Sequence, residues 1–308
     1  VDSVTTDSLV VQDFAVRQHR SLWGDVWLRF RKHKLALFGT VTVFILVLGS
    51  LVGPFFWDID PQYIDIIDAN EGPTREHPFG TDNLGRDTLA RVMAGGRISL
   101  AVGMSAMLVA ITLGTLIGAF SGFYRRLDGV LMRITDIFLA LPLLPLLLVV
   151  ILLFRDTLRT AFGPETGIFL LIVFVIGILN WMPTARVVRA QVLQVKEFEF
   201  VTAATAVGSQ QGRILTRHVF PNVLSPILVA ATLGVANAIL TESALSFLGL
   251  GFPSDFPTWG RLLYDGKDFL QLTPMLVFWP GLFISLTVLS INFLGDGLRD
   301  ALDPRMQT

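Results

Sequence analysis

The chain has 308 residues, 52% of them hydrophobic and 16% charged, with a net charge of -1 and no cysteine. A soluble domain carries roughly 25% charged residues, so the composition excludes an ordinary water-soluble enzyme and points to a chain solvated by lipid. The absence of cysteine excludes disulfide, thiolate and zinc–thiolate chemistry, and the near-neutral charge gives no reason to expect a nucleic-acid partner.

In chain order, Val1 to His19 has no short apolar core of the kind a cleavable secretory signal needs. Residues 1–34 are read as a polar cytoplasmic tail ending in RFRKHK, Arg29 to Lys34. Runs of ~20 apolar residues, enough to cross ~30 Å of hydrocarbon, then predict about six spans in an all-α fold. They are Leu35–Phe56, Ile98–Phe123, Val130–Phe154, Gly167–Val187, Val223–Leu250 and Pro274–Leu294. LPLLP in the third places Pro142 and Pro145 where they kink it.

The first span and its external loop occupy 35–97, a core with five spans occupies 98–295, and 296–308 forms a second tail. In the loop before the second span, GTDNLGRD (Gly80 to Asp87) fails the calcium-loop pattern because Leu84 stands where a ligand is needed. A turn capping a short amphipathic helix, Asp87 to Gly96, is expected instead.

One set of loops carries Arg29, Arg31, Lys32, Lys34, Arg125, Arg126, Arg133, Arg186, Arg189, Lys196, Arg213 and Arg217. The opposite set opens with an acidic stretch holding only Arg75, although Arg86, Arg91 and Arg97 follow it. The Lys/Arg excess places both termini and segment 196–222 in the cytoplasm.

That segment contains FVTAATAVGSQQGRILTRHVFPN, Phe200 to Asn222. Its propensities predict a helix over Lys196–Gly208 capped by Gly208, then a second over Gln210–Val219 that stops ahead of Pro221. Phe198, Val201, Thr205 and Gly208 fall on one stripe with Ala204 beside it. Ala203, Ala204, Ala206 and Gly208 add little bulk, while Arg213 and Arg217 form a cationic edge. The pattern fits a face that docks a protein and, equally, an amphipathic helix on lipid headgroups.

Within the spans, Glu242 is an intramembrane carboxylate near one interface, suited to helix packing or to ligand contact. Asn180, Asn237 and Asn292 suit interhelical hydrogen bonds or a lined pathway, and Gly114, Gly118, Gly234 and Gly281 suit close packing. No HExxH, GxSxG or P-loop occurs, and the sixth span separates Asp265 from Asp296 too far for a catalytic dyad. No catalytic or metal-ligating residue is assigned. After the last span, Arg299 reaches Asp296 and Asp303 at helical spacing, with Asp300 adjacent, as a structural anchor.

The loop resembles the EAA loop of ABC-transporter permeases: Ala203, Ala204, Gly208 and Pro221 match at the required spacing. Thr202 stands where the pattern has Glu, His218 where it has Ile and Phe220 where it has Leu. HPFGTDNLGRDTLARVMAGGRISL, ESALSFLGLGFPSDFPTWG and FLGDGLRDALDPR are similar to the dipeptide/oligopeptide branch of these permeases, as is LALFG at Leu35 to Gly39. The resemblance runs from about Leu22 onward.

It implies a type I ABC importer permease in the inner membrane of a bacterial-type cell. The loop is then a coupling helix docked on one of two cytoplasmic ATPase subunits, through Phe198, Val201, Thr202, Ala203, Ala204, Thr205, Gly208, Arg213, Arg217 and Pro221. It further implies a second homologous permease completing the pore, an external binding protein, and ATP and Mg held by the partners, with no cofactor on this chain. Di- or oligopeptides are the implied cargo, with nickel complexes, glutathione or another small solute as alternatives. A stand-alone secondary transporter or channel would instead show midspan carboxylates or interrupted helices in two matching halves, and no convincing internal repeat is present.

Overall fold

The computed structural model describes residues 22–302, so the readings for 1–21 and for 303–308, Asp303 included, lie outside the described residues. Among the described residues the architecture is helical, with a single antiparallel bridge between Thr81 and Asp87. Four helices are long and apolar enough to cross a membrane: α2 (Lys34–Phe56), α3 (Thr88–Phe123), the continuous run Gln211–Phe247 and α12 (Met275–Leu302). Two bent pairs, α4 (Arg125–Ala140) with α5 (Leu143–Phe162) and α6 (Pro164–Leu179) with α7 (Trp181–Lys196), raise the number to six if each is one span. α1 (Leu22–Lys32) precedes them; Phe30 packs on Ala36 of α2 and Ala301 of α12, so this part of the tail is anchored.

Several boundaries differ from the sequence reading, each for a local reason. α3 begins at Thr88, not Ile98: Asp87 caps it by accepting from the Ala90 N–H at 2.6 Å, and the expected short helix runs straight on to Phe123. The third span does not merely kink. Its two helices meet at 88°, with Leu141 and Pro142 in extended conformation between them, because a residue ahead of proline is driven out of the α region. The fourth breaks by 41° at Asn180 and continues to Lys196. The sixth runs through residue 295 without interruption, so Asp296, Arg299 and Asp300 continue α12.

Proline also explains Arg97. Pro54 lies inside α2 and has no N–H to give the Ser50 carbonyl. An unpaired carbonyl in lipid costs several kcal/mol (roughly, as for any buried polar group), and Arg97 on α3 donates to Ser50 O and Leu51 O at 2.7 Å each. An arginine that weakened the charge asymmetry therefore closes a backbone gap.

α3 is the spine. It is 36 residues long, ~54 Å at 1.5 Å per residue, and reaches from the loop 57–87 to the region of segment 196–222. Its second half packs on α7 through glycines one turn apart. A Cβ at Gly114 would meet Trp181 O at 2.6 Å, one at Gly122 would meet Arg189 O at 2.9 Å, and one at Gly118 would overlap Ala185 O. This is small-residue packing of the membrane type. Gly234 abuts Met107 on α3, while Gly281 has only Leu263 nearby, at 3.8 Å, so its close-packing role is not seen.

At the other end, α11 (Trp259–Gly266) forms a strap between α10 (Phe220–Phe247) and α12. Trp259 is fully buried and its indole donates to Val92 O at 3.0 Å.

Candidate functional site

Segment 196–222 is built outward from the end of α3. Lys196, last in α7, donates to Gly122 O and Phe123 O at 3.3 and 3.0 Å, satisfying carbonyls at the α3 C-terminus. Arg189 grips Asp128 of α4 at 2.5 and 2.7 Å, and Ser121 donates to the same carboxylate at 2.7 Å. Three helices are thus joined in one bracket immediately before the loop.

α8 (Glu199–Ala206) follows, with Phe198 extended at its N-cap. Gly208 has φ +82, and Ser209 N–H reaches back to Ala204 O while Val207 N–H reaches Ala203 O, so the expected glycine cap is present. The predicted helix Lys196–Gly208 is split at Glu197–Phe198 because α7 ends there. Val201 turns inward: it is 5% exposed, among Val195, Ile214, Leu215 and Val219. It anchors the helix and does not lie on the outward stripe where the sequence placed it; Ala204 packs partly against the same cluster.

Thr202, Ala203, Thr205, Ala206, Val207 and Gly208 face out, and Val207 is 86% exposed. Phe198 and Phe200 stand beside them in edge contact at 5.7 Å. Val207 and Phe200 belong to this face yet fall off the predicted stripe; the cap at Gly208, which ends the helix and projects Val207, is the signal that could have found them.

The second helix does not stop at Phe220. α9 (Gln211–Ile214) passes through a π turn, Leu215–Val219, into α10. Phe220 N–H bonds Leu215 O, five residues back, and Pro221, which has no N–H to place, sits in the first turn of α10. The loop is therefore rigidly continuous with the next span. Arg213, Arg217 and Pro221 are exposed on this element.

Residues 110–308 match the family described as binding-protein-dependent transport system inner membrane component, and residues 21–73 match the N-terminal TM domain of oligopeptide transport permease C. The chain belongs to this permease family. It is 40% identical over 290 residues to the oligopeptide transport system permease protein OppC of Bacillus subtilis, covering 93% of this chain and 91% of that one. It is 39% identical over 291 residues to the dipeptide transport system permease protein DppC of Alkalihalophilus pseudofirmus, at 94% and 91% coverage. The OppC protein of Haemophilus influenzae is 40% identical over 289 residues, at 93% and 89%. The protein is thus the membrane-spanning component of a binding-protein-dependent transport system.

The permease's intramembrane polar residues do not form one site. Glu242 is fully buried where α3, α10 and the strap meet; Ser246 donates to it at 2.7 Å and Ser99 at 3.2 Å, and Ser99 also accepts from Trp259 N–H. It packs helices together, one of the two uses its position suggested, and its contacts lie toward the Asp87 end of α3. Asn180 sits at the break between α6 and α7 and donates to Ile176 O at 2.8 Å. Asn292 is half-buried in α12, and Asn237 is exposed on α10. In the loop before α3, Asp82 is held by Arg86 at 2.7 Å and by Arg91, which also reaches Asp265 at 3.2 Å. Asp82 of GTDNLGRD is therefore tied through Arg91 to the strap.

Proposed function

We propose that this permease imports di- or oligopeptides as one half of a pore, and that α8 is the element through which a cytoplasmic ATPase subunit drives it. The observation that carries the reading is the two-sidedness of α8. Its inner side is pinned by Val201, and its outer side is a surface of small and apolar groups ending in Val207 that nothing among the described residues covers. A lipid-resting helix would face basic and long apolar groups to the membrane; here no basic group lies on α8 itself, and between Phe200 and Val207 the face offers threonine and alanine, which admit a close protein partner.

The bracket of Lys196, Arg189 and Asp128 on one side and the unbroken run into α10 on the other make α8 move with the spans. The departure of Thr202 from the family glutamate leaves packing and backbone contacts to hold the partner. The Lys/Arg distribution supports a cytoplasmic side for α8 and for both chain ends. A second homologous permease covers exposed span surface such as that around Asn237, and an external binding protein selects the cargo. The names of the OppC and DppC relatives support peptides as that cargo. ATP and Mg belong to two ATPase subunits, and this chain hydrolyses nothing.

The test is affinity purification of the intact complex carrying Ala203→Trp, whose Cβ leaves the exposed face of α8. The ATPase subunits are lost while the second permease copurifies, and peptide uptake ceases. Wild-type uptake in this variant refutes the docking role. Gly208→Trp is the weaker probe, because the left-handed backbone there adds strain of roughly 1–2 kcal/mol to the added bulk. Uptake by the chain reconstituted alone would make it a secondary transporter.

A further inference from the structure

The loop between α2 and α3 lies at the Asp87 end of the spine, away from α8. In it, Asp68, Glu71 and His77 each bring one potential ligand atom within 4.8 Å of the others. The set is more than an acidic patch, because its third donor is an imidazole nitrogen held in place from behind. His77 Nδ1 lies 2.8 Å from Oδ2 of Asp87, whose side chain is completely buried. The other Asp87 oxygen accepts from Trp57 Nε1 at 3.1 Å and from the Ala90 N–H at 2.6 Å, so the carboxylate is locked between the end of α2 and the start of α3.

A carboxylate on one ring nitrogen keeps the proton there and turns the lone pair of the other outward, which is how metal-bound imidazoles are normally oriented. His77 Nε2 accordingly faces Asp68 Oδ2 at 3.9 Å. That separation is too long for a hydrogen bond and suits two atoms that flank one ion. Among the described residues, no lysine or arginine forms an ion pair with Asp68 or Glu71. Asn70, between them in the same turn, holds φ 60 and a buried side-chain oxygen without a hydrogen-bond partner.

We propose that Asp68, Glu71 and His77 bind a divalent transition-metal ion, with Asp87 as the group that orients the imidazole. A nitrogen donor beside carboxylates favours Zn2+ or a similar ion over Ca2+ and Mg2+, which take oxygen ligands. Three protein ligands leave a coordination position for water or for a donor outside this chain. The bound ion clips the turn after Ile66 to residues 71 and 77 and braces the loop against α3. The inference stands apart from the docking role of α8, because neither its residues nor its test involve the ATPase.

The full chain, purified in detergent and stripped with a chelator, is titrated with Zn2+ against a fluorescent competitor, and retained metal is measured after desalting. One ion per chain is expected, with Ca2+ failing to displace it. Glu71→Gln, at an exposed side chain with no bond to the fold, weakens binding about tenfold or more, and His77→Gln abolishes it. Substoichiometric Zn2+ on the wild type, or wild-type affinity in Glu71→Gln, overturns the site. Should His77→Gln fail to fold, Glu71→Gln decides alone.

Discussion

Val201→Ala isolates the support of α8 from its outer face. The side chain is 5% exposed and belongs to one buried cluster with Val195, Ile214, Leu215 and Val219. Truncation removes two carbons at about 0.8 kcal/mol each and leaves a small cavity, for a loss of about 2 kcal/mol. Since about 1.4 kcal/mol is a factor of ten, local opening of α8 becomes ~30-fold more frequent. Hydrogen exchange on the permease in nanodiscs reads this directly: amides from Ala203 to Val207 exchange ~30-fold faster, and those in the middle of α3 do not change. Thr202→Ala, which removes only an exposed hydroxyl, leaves exchange unaltered. A change below about threefold in Val201→Ala would show that the buried contact does not hold α8.

Gly114→Leu forces a side chain against the Trp181 carbonyl, where a Cβ already approaches 2.6 Å; a loss of roughly 1–3 kcal/mol follows, read as a lower melting temperature of the detergent-solubilised chain. Glu242→Gln keeps one acceptor oxygen, for Ser246, and offers an amide N–H that the Ser99 hydroxyl accepts, so assembly stays intact, whereas Glu242→Leu strands those buried hydroxyls at about 1–3 kcal/mol; copurification yield of the complex separates the two. Arg97→Ala frees the Ser50 and Leu51 carbonyls, so the α2 amides around Pro54 lose exchange protection, and Pro54→Ala in the same background recovers it by restoring the Ser50 partner.

The apolar span cores were legible because each is set by a run of apolar residues close together in sequence. The Gly208 cap and the Asp87 cap were legible for the same reason: their partners lie within a few residues. What escaped depends on residues far apart. The direction of Val201 is decided by Ile214 and Val219, and nothing in residues 198–208 alone distinguishes an inward from an outward valine. The burial of Glu242 depends on Ser99, 143 positions away. Pro221 was read by its local rule as a helix stop, and the π turn at Leu215–Val219 supplied an alternative the rule omits. His77 and its neighbours match no spaced motif, since their grouping comes from how the loop folds over Asp87.

The size of α8 shows why its surroundings matter to function. An isolated helix shorter than about 12–15 residues is marginal in water, and α8 has eight. It holds because Val201 is buried, Gly208 closes its end and Lys196 fixes the preceding turn to the α3 carbonyls. A partner pressing on Ala203 and Val207 therefore meets an element whose resistance comes from α3, α7 and α10 and scarcely from itself. Force applied there is carried into those helices, because yielding locally would first require losing the same buried contacts that form the helix. A longer, self-supporting helix could slide or tilt on its own; a short one anchored at both ends and underneath transmits displacement, which is the property a coupling element in a transporter requires.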